Sequence, residues 1–397
     1  MNTVAADGWE TLPVSDIADF GSGEQISVAS LADRPISAFQ VPVFGGNGIA
    51  GYTNRALITN NTVILGRVGQ KCGIVYRSDA PVWVTDNALY ARRFKRPVDV
   101  RFLALILESA QLNDLRNRND LPLITQGILR GVVVRWPAST SVQGKIADVF
   151  ELVGQEIAAL DRLIRKKQAI KHGMMQSLLT SKARLPGFTD AWVPLHVASR
   201  STLKARIGWQ GLTTSEYRSS GEYRLVGGTE FVDGRVDWRA TPYVDKWRFD
   251  QDLGIQLRHG DVLLTKDGTI GKTAYVDQLP GPATLNSGVF VIRPMRQSYD
   301  SRFLYYMLRS RAFDKFLARL AAGSTISHLY QRDLVGLVLD VPPTLEEQSA
   351  ISSLLADVDG EIDALRRRID KAKAIKQGMM QELLSGRTRL PVVEAVA

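Results

Sequence analysis

The amino-acid sequence predicts an α+β protein in which two tandem mixed α/β domains are separated by two long helices. These helices are expected to form an antiparallel coiled coil with pseudo-twofold symmetry. Two observations lead to this fold class. The stretch AIKHGMMQSLL at 169–179 recurs as AIKQGMMQELL at 374–384. Before each copy, apolar residues alternate at steps of four and three residues, which is the spacing of a coiled-coil seam.

The repeat extends over nearly the whole chain. A shift of 205 residues aligns 146–186 with 351–391, and a shift of 199 aligns 60–73 with 259–272. A period near 200 residues indicates a duplicated domain rather than a solenoid. The predicted boundaries are 1–140 for the first domain, 141–186 for the first helix, 187–342 for the second domain, 343–391 for the second helix and 392–397 for a tail.

Each domain shows β-rich runs followed by a helical pattern and a last strand that ends at a proline. In the first copy the strands are predicted at 62–68, 73–78 and 83–94, the helix at 101–117 and the last strand at 131–137. In the second copy the strands are predicted at 261–267, 272–277 and 287–294, the helix at 302–320 and the last strand at 334–342. The sequence therefore predicts a sheet with a packed helix in each copy.

The predicted seams repeat position by position between the copies. They comprise Ile146, Phe150, Val153, Ile157, Leu160 and Ile164 in one copy, and Ile351, Leu355, Val358, Ile362, Leu365 and Ile369 in the other. The next positions are Lys167 and Ala372, and the pattern predicts a three-residue slip before the seam resumes at Ile170 and Ile375. Pairing between the two helices would cover both seams. The alternative is that each helix packs only on its own domain.

Composition limits the function classes. The 397 residues suit two to four domains, and the net charge of +9 with a pI near 9.6 indicates an acidic partner such as nucleic acid. A solvated basic surface is the alternative interpretation. The lone Cys72 excludes an intrachain disulfide and a cysteine-based zinc site. Because the first twenty residues carry no Lys or Arg and no apolar run approaches the ~20 residues that span a bilayer, a cytoplasmic protein is expected.

Motifs of catalysis are incomplete. Gly271-Lys272-Thr273 resembles the end of a phosphate-binding loop, but Lys266 stands where the upstream glycine is required. Asp340-Val341-Pro342-Pro343-Thr344 resembles the catalytic motif of amino-methyltransferases, but Val341 interrupts it. The four histidines show no metal-binding spacing. We therefore expect no catalysis, no metal site and no cofactor on this chain.

Loops rich in glycine, amide and basic residues favour DNA binding instead. They lie at 44–55 and 66–71 in the first copy and at 265–272 in the second. Lys and Arg bind phosphates or guanine, Asn and Gln can bind adenine, and glycine allows close approach of the backbone. Ordinary tight turns are the alternative. The candidate DNA-binding residues are Asn47, Arg55, Arg67, Gln70, Lys71, Lys266, Asp267, Thr269, Lys272 and Asn286.

The arrangement resembles the DNA-specificity subunits of type I restriction-modification enzymes. The resemblance rests on the tandem layout and on three segments in the second copy, which are GDVLLTKDGTIGK at 260–272, PPTLEEQSAISSLL at 342–355 and KAIKQGMMQELLSGRTRLP at 373–391. It implies a non-enzymatic subunit whose two target-recognition domains each read one half of a gapped DNA site, with the coiled coil as a spacer. The competing hypotheses are a coiled-coil structural adaptor and a stand-alone methyltransferase or nuclease.

The resemblance also implies protein partners. Methyltransferase subunits would dock on the chain, and restriction/translocase subunits would complete the complex. The duplicated AIK-x-GMMQ stretch predicts two equivalent docking places, and therefore two methyltransferase subunits per chain. S-adenosylmethionine, ATP and Mg would then be bound by the partner subunits only. The candidate partner-binding residues are Met174, Met175, Met379, Met380, Glu347 and Gln348, with core packing as the alternative role of the methionines. The first copy has no acidic residues before Gln143 to match those before Gln348.

Overall fold

A computed structural model of the chain describes residues 8–79, 81–116, 122–207, 211–321 and 328–390. The predicted tail at 392–397 lies outside these residues. The chain forms two compact units. Unit 1 takes the residues up to Arg162 together with those from Arg367 onward, and unit 2 takes Leu163–Arg366. Among the described residues, no helix is long and apolar enough to cross a membrane.

Unit 1 contains the first domain. Its strands are β1 (Trp9–Pro13), β2 (Ala18–Ser22), β3 (Val41–Gly45), β4 (Gly48–Thr53), β5 (Thr62–Gly66), β6 (Val75–Ser78), β7 (Trp83–Val84), β8 (Ala88–Phe94) and β9 (Val133–Pro137). They form sheets in the orders β2-β8-β5-β6, β4-β3-β7 and β1-β9. The helices are α1 (Val100–Ser109), α2 (Gln126–Arg130) and the long α3 (Thr140–Leu178), which begins in this unit.

The core of unit 1 includes the end of the second long helix. Phe102 of α1 makes edge-to-face contacts with Trp9 and Trp136, at centroid distances of 6.4 and 5.3 Å. Leu383 and Leu384 are buried in the same hydrophobic cluster. Burial of large side chains of this kind contributes about 1.5–3 kcal/mol per residue. The first domain is therefore completed by a segment that is distant in sequence.

Unit 2 contains the second domain. Its strands are β10 (Val193–His196), β11 (Ser201–Ala205), β12 (Tyr223–Val226), β13 (Phe231–Val232), β14 (Arg235–Val236), β15 (Tyr243–Val244), β16 (Val262–Thr265), β17 (Thr273–Tyr275), β18 (Ala283–Leu285), β19 (Val289–Pro294) and β20 (Val338–Val341). They form sheets in the orders β11-β19-β16-β17-β14-β13, β15-β12-β18 and β10-β20. The helices are α4 (Val197–Arg200), α5 (Lys246–Asp250), α6 (Ser301–Met307), α7 (Arg311–Leu320) and the start of α8 (Leu345–Leu383).

The core of unit 2 repeats the plan of unit 1. Trp192 lies edge-to-face with Phe303 at 6.4 Å, at the positions that correspond to Trp9 and Phe102. Leu178 and Leu179, from the end of α3, are buried in the cluster that contains Phe303. Each domain thus packs against the far end of the other copy's helix. The structure therefore contradicts the alternative in which each helix packs only on its own domain.

Ion pairs fix the direction in which the two long helices run. In unit 2, Lys167 of α3 pairs with Glu361 of α8 and Lys171 pairs with Asp359, each at 2.5 Å. From one ion pair to the other, the residue number rises along α3 and falls along α8, so the two helices are antiparallel. The predicted seam residues are buried or half-buried throughout.

The predicted slip of the seam is wrong. Ile170 and Ile375, where the seam was expected to resume, are exposed by 44 and 48 %. The inward positions instead continue through Lys167 and Lys171, so the four-three spacing is kept and lysines occupy it. Burial lowers the pKa of Lys171, and Asp359 offsets part of this effect.

The predicted helix at 302–320 is two helices. The chain leaves helical geometry at Ser310, whose hydroxyl accepts a hydrogen bond from the backbone N–H of Ala312 at 3.3 Å. Serine is a favoured N-cap, and its cap begins a new helix here. In unit 1, α1 likewise ends at Ser109, and Gln111 has a left-handed backbone with a φ of 46°. Continuous apolar periodicity concealed both breaks.

We expect Asp359→Asn to lower the free energy of unfolding of unit 2 by about 3 kcal/mol, because it leaves the buried Lys171 ammonium without its carboxylate. Asp359 also accepts a hydrogen bond from the Tyr306 hydroxyl at 2.8 Å. Without Asp359, the folded-state pKa of Lys171 falls further below the ordinary value of 10.5. Charging Lys171 then costs more in the folded state than in the unfolded state, so the loss of stability is present at neutral pH and disappears as the pH rises through 10.5.

The measurement is denaturant unfolding of the two proteins between pH 7 and pH 10. Glu361→Gln is the matched control, since it breaks the same kind of pair at a side chain that is 54 % exposed. Exposed pairs contribute about 0–1 kcal/mol. Equal losses in the two variants would contradict the assignment of Lys171–Asp359 as a buried pair.

Candidate nucleic-acid interface

The loops after β5 and β16 have one backbone frame. The Arg67 N–H donates to the Asn87 carbonyl at 3.0 Å, and the Arg67 carbonyl accepts from the Ile124 N–H at 2.9 Å. Lys266 makes the same two bonds, to the Gly288 carbonyl at 2.9 Å and from the Leu329 N–H at 2.8 Å. The alignment of the two copies therefore places Arg67 and Lys266 at structurally equivalent sites.

Glycines make both loops possible. Gly69 and Gly268 have φ values of +92° and +66°, in the left-handed region that residues with a Cβ rarely adopt. Both loops then close on the strand that precedes them. The Gly73 N–H bonds the Gly66 carbonyl at 2.7 Å, and the Gly271 N–H bonds the Thr265 carbonyl at 3.1 Å. The tight-turn interpretation is thus correct for the glycines, and the turns present the side chains between them.

In unit 1 the turn that carries Asn47 lies against the Arg67 loop. A Cβ on Gly66 would be only 2.3 Å from the Gly46 carbonyl oxygen, so the two backbones are in close contact. Asn47 is exposed at the tip of the β3–β4 turn. Arg55 is also exposed, and its guanidinium stacks over the Trp83 ring at 5.1 Å.

The basic and amide side chains of the Arg67 loop differ in their exposure and in their hydrogen bonds. Arg67 is half-buried and donates through Nη1 to the Ser22 hydroxyl at 3.0 Å. Its buried Nε has no hydrogen-bond partner within the described chain, so an oxygen of a ligand could satisfy it. Gln70 and Lys71 are exposed. The first unit thus presents two guanidinium groups, an ammonium and two amides from neighbouring loops.

The second loop set, at 265–272 in unit 2, has more contacts among its own side chains than the Arg67 loop has. Lys266 lies 3.5 Å from Asp267, and the Asp267 carboxylate also contacts Nδ1 of His328. Thr269, within the loop, and Lys272, at its end, are exposed. Lys266 and Asp267 therefore hold the loop in shape, while Thr269 and Lys272 remain available to a ligand.

Asn286 is held by a tyrosine that the sequence did not single out. Its amide donates to the Tyr217 hydroxyl at 2.8 Å, and its carbonyl oxygen accepts from the Ser287 N–H at 2.8 Å. Tyr217 and His328 are thus additional residues of this loop set. They come from segments far apart in the chain, and only the three-dimensional structure brings them together.

Metal-dependent chemistry has no recognisable site here. In the described ranges, no group of three or more His, Cys, Asp or Glu side chains is arranged to hold a metal ion. Cys72 is fully buried, and burial raises the pKa of its thiol. A buried thiol of raised pKa is a poor nucleophile. The exposed chemistry of the loops is suited to binding.

The candidate partner-binding methionines are half-buried. Met174 and Met175 pack against the core of unit 2, while Met379 and Met380 pack against the core of unit 1. Core packing therefore accounts for the buried part of each methionine side chain. Contact between the exposed part and a partner stays a prediction.

Glu347 and Gln348 are buried and bonded internally. Glu347 is 1 % exposed and accepts from Nε and Nη2 of the Arg184 guanidinium, at 2.7 and 2.8 Å. The Gln348 amide donates to the Pro342 carbonyl at 2.8 Å and accepts from the Asp300 N–H at 2.8 Å. In unit 1, Gln143 makes the same two bonds. These contacts assign both residues a structural role at the helix start and leave little surface for direct contact with a partner.

Comparison with known proteins agrees with this arrangement. The family model described as the type I restriction modification DNA specificity domain matches residues 211–374. The chain is 22% identical to the type I restriction enzyme MjaVIII specificity subunit of Methanocaldococcus jannaschii, over 97% of this chain and 94% of that one. Over nearly its whole length the chain is similar to type I restriction-modification DNA specificity subunits.

Solved structures extend this similarity to the fold. The crystal structure of the type I S subunit from M. genitalium matches with a TM-score of 0.68 and 15% identity, over 95% of this chain and 96% of that one. A second structure, which concerns complex assembly and conformational transition of a type I R-M system, matches with a TM-score of 0.52 and 16% identity, over 96% of this chain and 98% of that one. The family model thus describes a DNA specificity domain, and the solved structures show that this chain has the fold of the S subunits.

We expect Gln348→Leu to lower the free energy of unfolding by about 2–3 kcal/mol, because it leaves the Asp300 N–H and the Pro342 carbonyl buried without partners. Thermal unfolding followed by circular dichroism measures this loss. Gln377→Leu is the control, since Gln377 is exposed on the same helix. A Gln348→Leu protein of unchanged stability that failed to assemble with its partners would show that Gln348 acts in docking instead.

Proposed function

We propose that this specificity subunit reads a gapped, two-part DNA target, with one loop set for each half. The observation that carries the proposal is the shared backbone frame of the Arg67 and Lys266 loops, on which different side chains are presented. Arg55, Gln70 and Lys71 are exposed in unit 1, and Thr269 and Lys272 are exposed in unit 2. Two equivalent frames with unlike side chains suit two half-sites of unlike sequence.

Phosphate contacts would position each unit, and contacts to base edges would specify sequence. Arginine and lysine can pair with guanine, and glutamine or asparagine with adenine, through hydrogen bonds in the major groove. Asn47, Arg55 and Gln70 are exposed, so they can act in this way. Lys266 and Asp267 would support the loop rather than read bases, because Lys266 pairs with Asp267 and Asp267 also contacts His328.

The long helices would set the gap between the half-sites. Helices α3 and α8 each contain 39 residues, a length of about 58 Å at 1.5 Å per residue. A paired helix is stiff, and its length is fixed by its residue count. The distance between half-sites should therefore be constant for this subunit.

Docking of methyltransferase and restriction/translocase subunits is part of the same proposal. The similarity to a structure that concerns complex assembly of a type I R-M system supports it. Equivalent half-buried methionines, Met174 and Met175 in unit 2 and Met379 and Met380 in unit 1, would give two equivalent docking places. Two methyltransferase subunits per chain follow, with S-adenosylmethionine, ATP and Mg bound by the partners and no cofactor on this chain.

Mapping of N6-methyladenine across host DNA, with and without the gene for this chain, tests the proposal. We expect one gapped motif with two specified halves and a constant spacer to be methylated only when the gene is present. Restoration of the gene should restore the same motif. If the deletion strain kept the methylation pattern of a parent strain that expresses the chain, the structural-adaptor hypothesis would be favoured instead.

A further inference from the structure

Helix α7 of unit 2 presents a line of positive charge. Arg311, Lys315 and Arg319 are all exposed and follow one another at steps of four residues. Residues four apart lie on the same face of a helix and are separated by about 6 Å along its axis. The three cations therefore form a row about 12 Å long on one face of α7.

The opposite face of α7 packs on the second loop set. Phe313 and Phe316 are buried in the core of unit 2, and Leu317 packs against the same cluster. A Cβ on Gly271 would lie 2.5 Å from Leu317 Cδ1, so the loop that presents Thr269 and Lys272 is in direct contact with the helix. The row of cations therefore lies on the solvent-facing side of the helix that the candidate DNA-binding loop contacts.

Among the described residues, the cations of the row have no carboxylate partner. Some other arginines in unit 2 have a carboxylate partner, such as Arg293 with Asp261 at 2.6 Å and Arg302 with Asp277 at 3.2 Å. No ion pair involves Arg311, Lys315 or Arg319 in the part of the chain that the structure describes. Asp314 is the one acidic residue of α7, and it lies in the first turn, where the helix dipole favours a negative charge.

We propose that α7 binds the phosphate backbone of DNA next to the half-site that the second loop set reads. This inference rests on the proposed function. Duplex DNA carries one negative charge per ~1.7 Å of its axis, so a 12 Å row meets several phosphates. Long basic side chains without a fixed partner suit phosphates, which need charge but little directional precision. Contacts of this kind add affinity without reading sequence.

The test replaces all three cations with glutamine, as Arg311→Gln, Lys315→Gln and Arg319→Gln in one full-length chain. Glutamine keeps the helix propensity, so the fold should be retained. Binding is measured on a duplex that carries the mapped motif and on a random-sequence duplex, at several salt concentrations. We expect the slope of log affinity against log salt to become shallower by about 0.9 for each phosphate that the variant no longer neutralises.

The same relation predicts a loss of roughly a hundredfold in affinity near 0.15 M salt for the triple variant. The loss should be equal on both duplexes, so the preference for the motif is unchanged. The matched control is the triple variant Arg200→Gln, Arg258→Gln and Arg296→Gln, which removes the same charge from exposed positions. These residues lie near the start of β16, whereas the loop follows its end, since Ser201 pairs with Pro294 and Val262 with Ile292. The control variant should keep most of the DNA affinity of the unaltered chain.

Two results would overturn the proposal. One is a triple α7 variant with the salt slope and affinity of the unaltered chain, which would make the row a solvated helix face. The other is an equal loss in the control, which would assign the effect to net charge. If the unaltered chain bound the motif duplex no better than the random one, the proposed function would fail, and the random-duplex arm would still decide whether α7 binds phosphates.

Discussion

The structure depends on the burial of each long helix's end in the core of the domain from the other copy. In unit 1, Leu383 and Leu384 complete the cluster around Phe102, and in unit 2, Leu178 and Leu179 complete the cluster around Phe303. A domain of this kind cannot bury its apolar surface without the second helix. The duplicated AIK-x-GMMQ segments are therefore similar because both have to fill the same gap. Core packing is the first requirement on them, and any docking role uses the surface that remains.

On this shared framework the two loop sets are free to differ. Arg67 and Lys266 have the same backbone bonds, but Arg67 retains a buried Nε without a partner in the described chain, whereas Lys266 is paired with Asp267. The second unit compensates with the cations of α7, which stand beside its loop. Shared backbone geometry with variable side chains is what a recognition surface needs, because sequence preference can change without loss of stability.

Much of the fold follows from the repeat in the sequence. Periodicity predicted the helices and their buried seam, and the alignment of the copies predicted the equivalence of Arg67 and Lys266. Other features depend on contacts between distant residues. Lys171 stays in the seam because its ammonium group pairs with the Asp359 carboxylate. Gln348 is internal because its side chain bonds the Asp300 N–H and the Pro342 carbonyl. The cap at Ser310 divides a continuous apolar pattern, and α7 with its row of cations was missed for that reason.

The central claim is that each unit reads its own half of one target. Methylation mapping of two double variants tests it most directly: Gln70→Ala with Lys71→Ala in unit 1, and Thr269→Ala with Lys272→Ala in unit 2. All four side chains are exposed, so the fold should be unaffected. We predict that each variant relaxes the sequence preference in a different half of the methylated motif and leaves the spacer unchanged. Relaxation of the same half by both variants, or an unaltered motif in both, would contradict the account.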